Sequence, residues 1–212
     1  MAAAAAAVPL SAEHPFLDLA NETLFAAKEL EANAKWQRVL TKDDTNLDQV
    51  DLNNGCSIPC YRVETIIEKN CQDLKNKIWK VASTKDAQIN DPKVMSWNLL
   101  SEGDNWRIMT QINGMSRPAW DRQTVFCQTE YVEGDTTYLV AHSVEHPLAP
   151  REDKKYVRTN MHMSVYKFQA LGPNRTAVSR IAQVDPCGWI PTTIIKKYSG
   201  NMVDMFNKWK KE

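Results

Sequence analysis

Apolar positions in the first part of the chain change their spacing more than once, and each change predicts a change of element. Phe16, Leu17, Leu19, Ala20, Leu24, Ala27 and Leu30 recur at intervals of three and four with charges between them. That rhythm predicts an amphipathic helix of about six turns, opened by Ser11 with Glu13 and Pro15 in its first turn. From Trp36 to Glu68 the pattern shortens to the alternating runs WQRVLTK, LDQVDL and CYRVETIIE, separated by DDTN and NNGCSIP, which predicts three strands and their turns. Leu74, Ile78 and Val81 return to helical spacing, and DPKVMSW, with Pro92 near its start, predicts a second short helix. The next hundred or so residues alternate again. WNLLSEG and NWRIMTQI, RQTVFCQTEYV and TTYLVAHSV, and YVRTNMHMSVYKF and RTAVSRIAQV form three pairs of runs around EGDN, EGD and LGPN, a meander of antiparallel strands. After the break DPCGWIP, the positions Ile194, Ile195, Tyr198, Met202, Met205, Phe206 and Trp209 predict a long final helix.

About nine strands between two long helices make an α+β chain with a helix-grip architecture, in which a curved antiparallel sheet wraps around the C-terminal helix. A strongly curved sheet closed by a helix implies an internal hydrophobic cavity. The 212 residues suit one domain over residues 11–212, preceded by a flexible, alanine-rich tail over residues 1–10. Twenty-six basic residues balance twenty-six acidic ones, so no global field recruits nucleic acid. Five cysteines, an odd number in a chain of this size, favour a reducing compartment. The alanine run lacks the basic flank of a secretory signal, and no stretch reaches the length of apolar sequence, about 18 residues, that crosses a bilayer. A soluble, cytoplasmic protein that touches membranes only peripherally is expected, as a monomer.

The segment SVEHPLAPREDKKYVR (Ser143 to Arg158), the strand NMHMSVYKF and the turn QVDPCGWIPTTII (Gln183 to Ile195) are together similar to the C-terminal half of START domains, the steroidogenic-acute-regulatory-protein-related lipid-transfer family. DLKNKIW, Trp97 and the loop GMSRPAW extend the resemblance more weakly upstream, over residues 20–212. The resemblance implies a non-catalytic carrier that holds one phospholipid or sterol-like molecule and exchanges it at membranes. It favours Thr124, Phe126 and Gln128 as the inward set of their strand over Val125, Cys127 and Thr129, between which period-two alternation alone does not choose. Met109, His142, Met161, Met163, Ala182, Val184, Met202 and Phe206 join them as candidate wall residues. Arg158 either faces a lipid headgroup or pairs with Glu145 or Glu152 to fix the loop between them. Sterol-carrying members tend to place a basic residue where neutral Gln128 stands here. The phosphocholine-binding member has an arginine just before the tryptophan matched by Trp97, where this chain has Lys93 and Val94 nearby.

Two elements form the expected gate: the loop Asn113 to Asp121, with Met115, Arg117, Pro118 and Trp120, and the final helix beginning near Ile190, with Lys196 and Lys197 facing anionic lipid and Lys208, Lys210 and Lys211 adding charge. Other functions have weaker support in the sequence. His146 beside Glu145 offers a base, but no nucleophile elbow, Walker loop or HExxH pattern accompanies it. Cys56 and Cys60 have near-metal spacing without a second Cys/His pair at zinc-site distance, so neither a metal nor any other cofactor is expected. The aromatic loop would also suit a protein partner.

Overall fold

A computed structural model describes residues 13–152, 154–190 and 192–212, the backbone alone over 192–198. Its elements are α1 (Leu17–Asn33), β1 (Gln37–Lys42), β2 (Thr45–Val50), β3 (Cys60–Ile67), α2 (Cys71–Trp79), α3 (Thr84–Asn90), β4 (Val94–Glu102), β5 (Trp106–Asn113), β6 (Arg122–Glu133), β7 (Thr136–Ser143), β8 (Val157–Arg158), β9 (Asn160–Gly172), β10 (Arg175–Asp185) and α4 (Thr192–Lys211). The strands form one sheet in the order β1-β2-β3-β10-β9-β7-β6-β5-β4, with the two-residue β8 beside β6. The β6–β8 pair is parallel. Ser11 and the tail 1–10 lie outside the described residues, as does Pro191.

The sheet has one face for each long helix, as a helix-grip fold requires. On the concave face, Val203, Phe206 and Trp209 of α4 recur every three residues and pack among Leu47, Val63, Ile67, Tyr166, Phe168 and Val178. Phe206 and Trp209 stack at 5.2 Å between ring centroids, and Trp209 Nε1 donates to Asn90 Oδ1 at 3.2 Å. Thr45 Oγ1 donates to Asn207 Oδ1 at 2.6 Å, and Asn207 Nδ2 donates to the Lys42 carbonyl at 3.1 Å. The C-terminal half of α4 is therefore held by both packing and buried hydrogen bonds. On the convex face, Leu24 and Ala27 of α1 pack on Tyr138, Val140 and Val165.

Two expected helices are corrected. α1 begins at Leu17, after the position expected from Ser11, and its N-cap position, Phe16, makes no side-chain capping bond. The short helix expected over Asp91 to Trp97 lies earlier, at Thr84–Asn90, and Val94 onward is strand β4, paired with β5. Ser83 caps α3 by accepting from the Asp86 amide at 3.2 Å, while its hydroxyl donates to the Asp86 carboxylate at 2.8 Å. Asp91 precedes Pro92, which disfavours helical backbone, and Asp91 is extended at φ −138° and ψ 102°. The helix ends there and the chain turns into the sheet.

Candidate functional site

Cross-strand register assigns the side chains of the central strands to faces. Gln128 pairs with Arg107 and Ala141, Phe126 with Met109 and Ser143, and Thr124 with Gln111. Leu139, two residues before Ala141, packs in the cluster around α4, so this whole set is on the concave face. Thr124, Phe126 and Gln128 are thus the inward set of β6. Ala182 pairs with Ser164, next to Tyr166 in the same alternation, and is concave as well. Val184 and its partner Met161 follow on that face. Met109, buried with Ala87, Val94 and Trp97, closes the side under α3.

Burial along this face is mixed, with Thr124 buried although it lies nearer the Arg122 end of β6 than half-buried Phe126. Phe206, Met109, Gln128, Ala182 and Thr124 are buried, whereas Phe126, Ser143, Met161, Val184 and Met202 are only half-buried. Apart from Met202 on α4, the half-buried residues lie toward the end of the sheet where β10 hands over to α4. That end carries the loop Asn113 to Asp121 and the turn before α4, the elements of the expected gate, and is the candidate mouth of the grip.

The deep part of the same face is polar. Arg107 on β5 stands beside Gln128, and its Nε and Nη2 both donate to Gln128 Oε1, at 3.1 and 3.0 Å. Nη2 also donates to the Ile78 carbonyl at 2.7 Å and Nη1 to the Val81 carbonyl at 3.1 Å. The guanidinium therefore satisfies carbonyls left free at the C-terminal end of α2, and it lies 4.8 Å above the Trp79 ring. Among the described residues no carboxylate lies within ion-pair distance of it. Burial, opposed by the charges of Glu102 and Glu130, lowers its pKa to about 10. Beyond it, Lys75 Nζ donates to Glu130 Oε1 at 2.7 Å in a largely buried pair. Arg107 was missed in the sequence, although it shares the parity of Met109 in NWRIMTQI. A lone cation within an apolar alternation was the available signal.

The structure moves three candidate wall residues away from this site. His142 pairs with Cys127 on the convex face, where Phe16 meets its ring edge-on at 6.3 Å, and burial lowers its pKa. Met163 packs on the convex side with Cys60 and Ile181, against Ala26 and Leu30 of α1. Arg158 is a loop pin: its Nη2 donates to the Ala149 carbonyl at 2.7 Å and its Nη1 stands 3.9 Å from Glu145. Glu145 in turn pairs with Arg151 at 2.7 Å, and the His146 ring accepts from the Leu148 amide at 3.2 Å, a turn contact.

At the mouth, Asp121 Oδ1 accepts from the Met115 amide at 2.9 Å and closes the loop that carries Arg117, Pro118 and Trp120. Asp185 Oδ1 accepts from the Cys187 amide at 2.7 Å and shapes the turn that leads through Gly188, at φ +60°, to Ile190. Buried Arg122 joins the two segments by donating to the carbonyls of Pro186 at 3.1 Å, Cys187 at 2.8 Å and Trp189 at 3.4 Å, and to that of Trp120. Around this latch Trp120, Trp189 and Leu148 are 55%, 67% and 54% exposed. Lys196 and Lys197 lie on the first turns of α4, where side chains are not described. Lys208 and Lys210 are at the other end of the helix, donating to the carbonyls of Ile89 and Asp43, so they add no charge at the mouth.

The model of the START domain family matches residues 17–212. Human STARD10 superposes with a TM-score of 0.76 at 17% identity, over 90% of this chain and 77% of that one. Human StAR-related lipid transfer protein 5 gives 0.74 at 17% identity, over 92% and 96%. A STAR-related lipid transfer protein fragment from Xanthomonas axonopodis gives 0.66 at 17%, over 82% and 98%. Comparison with curated proteins gives no match. At these identities the structural likeness establishes the fold, and the family rests on the match along nearly the whole chain. The chain belongs to the START domain family.

Proposed function

We propose that this protein binds one lipid molecule, a phospholipid or a sterol-like lipid, between the concave face of the sheet and α4, and transfers it between membranes without chemical change. The mixed apolar and polar lining of the concave face carries this reading. Its outer part presents half-buried Phe126, Met161 and Val184 from central strands, while its deep part presents the Arg107–Gln128 pair. Ligand sites of this class are mostly apolar with a few convergent polar groups that fix orientation. Arg107 uses four of its five N–H donors on Gln128, Ile78 and Val81, and Gln128 uses its oxygen. What remains is donor-rich: one guanidinium N–H and the Gln128 amide nitrogen. A lipid presenting a hydroxyl, carbonyl or phosphate oxygen to the deep end, with its chains or rings toward the mouth, suits that arrangement.

The mouth supplies the exchange step in this reading. Trp120, Trp189 and Leu148 enter the headgroup region of a bilayer, and opening requires the loop Asn113 to Asp121 to part from the turn before α4. The related proteins whose names specify lipid transfer, from human and from Xanthomonas axonopodis, support the same activity. A domain over residues 11–212, acting as a monomer at the cytoplasmic surface of membranes, completes the proposal. Among the described residues no helix is long and apolar enough to span a bilayer. Fluorescent phospholipid and sterol transfer from donor to acceptor vesicles tests it. Catalytic amounts of protein should accelerate transfer of at least one of the two lipid classes, and a rate equal to spontaneous transfer for both overturns the reading.

A further inference from the structure

Cys56, His162 and Asp185, remote in sequence, meet beside the mouth with one donor atom from each lying within 4.8 Å of the others. All three are half-buried. Each comes from a separate segment: Cys56 from the β2–β3 loop, His162 from β9 and Asp185 from the last position of β10. Local structure aims them at one another. Buried Gln183, two residues before Asp185, holds the Cys56 loop: it accepts from Asn54 Nδ2 at 2.8 Å and donates to Asn54 Oδ1 at 3.3 Å and to the Ile58 carbonyl at 3.0 Å. Between the pairs Gln183–Met163 and Val184–Met161 the β9–β10 register shifts, leaving His162 as the extra residue of a bulge. A bulge re-aims a side chain out of the regular alternation. Asp185 is oriented by the Cys187 amide on its Oδ1 at 2.7 Å, and Asn160 Nδ2 lies 3.4 Å from His162 Nε2.

We propose that these residues form a binding site for a single zinc ion, one that pins the β2–β3 loop to the end of β10. One thiolate, one imidazole and one carboxylate are the donor types that Zn2+ takes, and three protein ligands leave a fourth position for water. Thiolate disfavours Ca2+ and Mg2+, which require oxygen ligands. Donors bonded to one tetrahedral zinc stand roughly 3.3–3.6 Å apart, so closure asks each side chain to move by about 1 Å or less. The Cys187 amide, donating to Asp185 Oδ1, holds the carboxylate from behind, as partners outside the ligand set do in zinc sites. The spacing of Cys56 and Cys60 concealed the site. Cys60 points to the convex face among Met163 and Ile181, and the partners of Cys56 come from distant strands.

The test uses the whole chain, reduced and freed of metal with a chelator, then titrated with Zn2+ alone against a chromophoric competitor. The expected result is one equivalent bound, with affinity at least about tenfold weaker in Cys56→Ser, His162→Gln and Asp185→Asn, and unchanged in the remote control Cys127→Ser. Cobalt substitution should give a thiolate-to-metal charge-transfer band that Cys56→Ser abolishes, and Zn2+ should slow alkylation of Cys56 in the native protein. Circular dichroism establishes that each variant is folded. No stoichiometric binding, or one equivalent whose affinity none of the three substitutions changes, overturns the proposal. Neither result bears on lipid transfer, which is measured separately.

Discussion

Replacing Arg107 with methionine separates what this side chain does for the fold from what it does for a ligand. Burial lowers the guanidinium pKa to about 10, and a depression of that size corresponds to about 3 kcal/mol against folding. For a cationic group with a lowered folded-state pKa, the cost is fully present at every pH below about 10, so at neutral pH Arg107 destabilises the fold by that amount before its hydrogen bonds are counted. Against it stand three acceptors: the carbonyls of Ile78 and Val81 and Gln128 Oε1. Left without a donor when buried, each costs about 1 kcal/mol at the low end of its range. Methionine keeps most of the packing on Trp79. The two contributions nearly cancel, and Arg107→Met should change unfolding free energy by less than about 2 kcal/mol in urea denaturation. Lipid affinity should fall at least about tenfold, the loss of one charge-assisted hydrogen bond at about 1.5 kcal/mol or more. A variant that loses several kcal/mol of stability yet binds lipid as tightly as the parent would refute this reasoning and make Arg107 a structural pin for α2.

The remaining predictions concern the closed end, the mouth and the thiols. Trp209→Ala removes a buried ring stacked on Phe206 and should lower stability by about 3–5 kcal/mol, read by chemical denaturation; a loss under 1 kcal/mol would show that α4 is not anchored there. Trp120→Ala and Trp189→Ala, both at exposed rings, should slow lipid transfer between vesicles while leaving the melting temperature unchanged. Unchanged rates in both would remove the mouth as the docking surface. Burial pushes the thiols of Cys60 and Cys127 up to about 12, so iodoacetamide at pH 8 should leave both unmodified in the native protein while Cys56 reacts in the absence of metal. Peptide mass mapping checks this, and rapid labelling of Cys60 or Cys127 would contradict their placement.

Much of the fold was legible in the sequence because strands and helices differ in period, and the long alternating runs from Trp97 onward left little ambiguity. The face of β6 was legible too, since Thr124, Phe126 and Gln128 follow strict alternation and the family resemblance chose between the two faces. Alternation fails where a bulge intervenes. Met161 and Met163 are two apart, which predicts a shared face, but the extra residue at His162 turns Met161 to the concave side and Met163 to the convex one. His142 was misplaced for another reason: its cross-strand partner is Cys127, a register that only the paired strands reveal. The helix was expected at Pro92, whereas the residue that caps it is Ser83, which accepts from the Asp86 amide three residues later. Arg122 carries no local signal, because all but one of its observed partners belong to a turn more than sixty residues away. The latch exists only once the sheet has brought the two ends of the mouth together.

The claim that this grip is a container is tested most directly by native mass spectrometry of the protein as purified, followed by organic extraction and identification of what it releases. A single lipid per chain is predicted, lost on denaturation and depleted in Arg107→Met. Protein of bare mass that yields no lipid on extraction, and gains none on incubation with phospholipid or sterol vesicles, would contradict it.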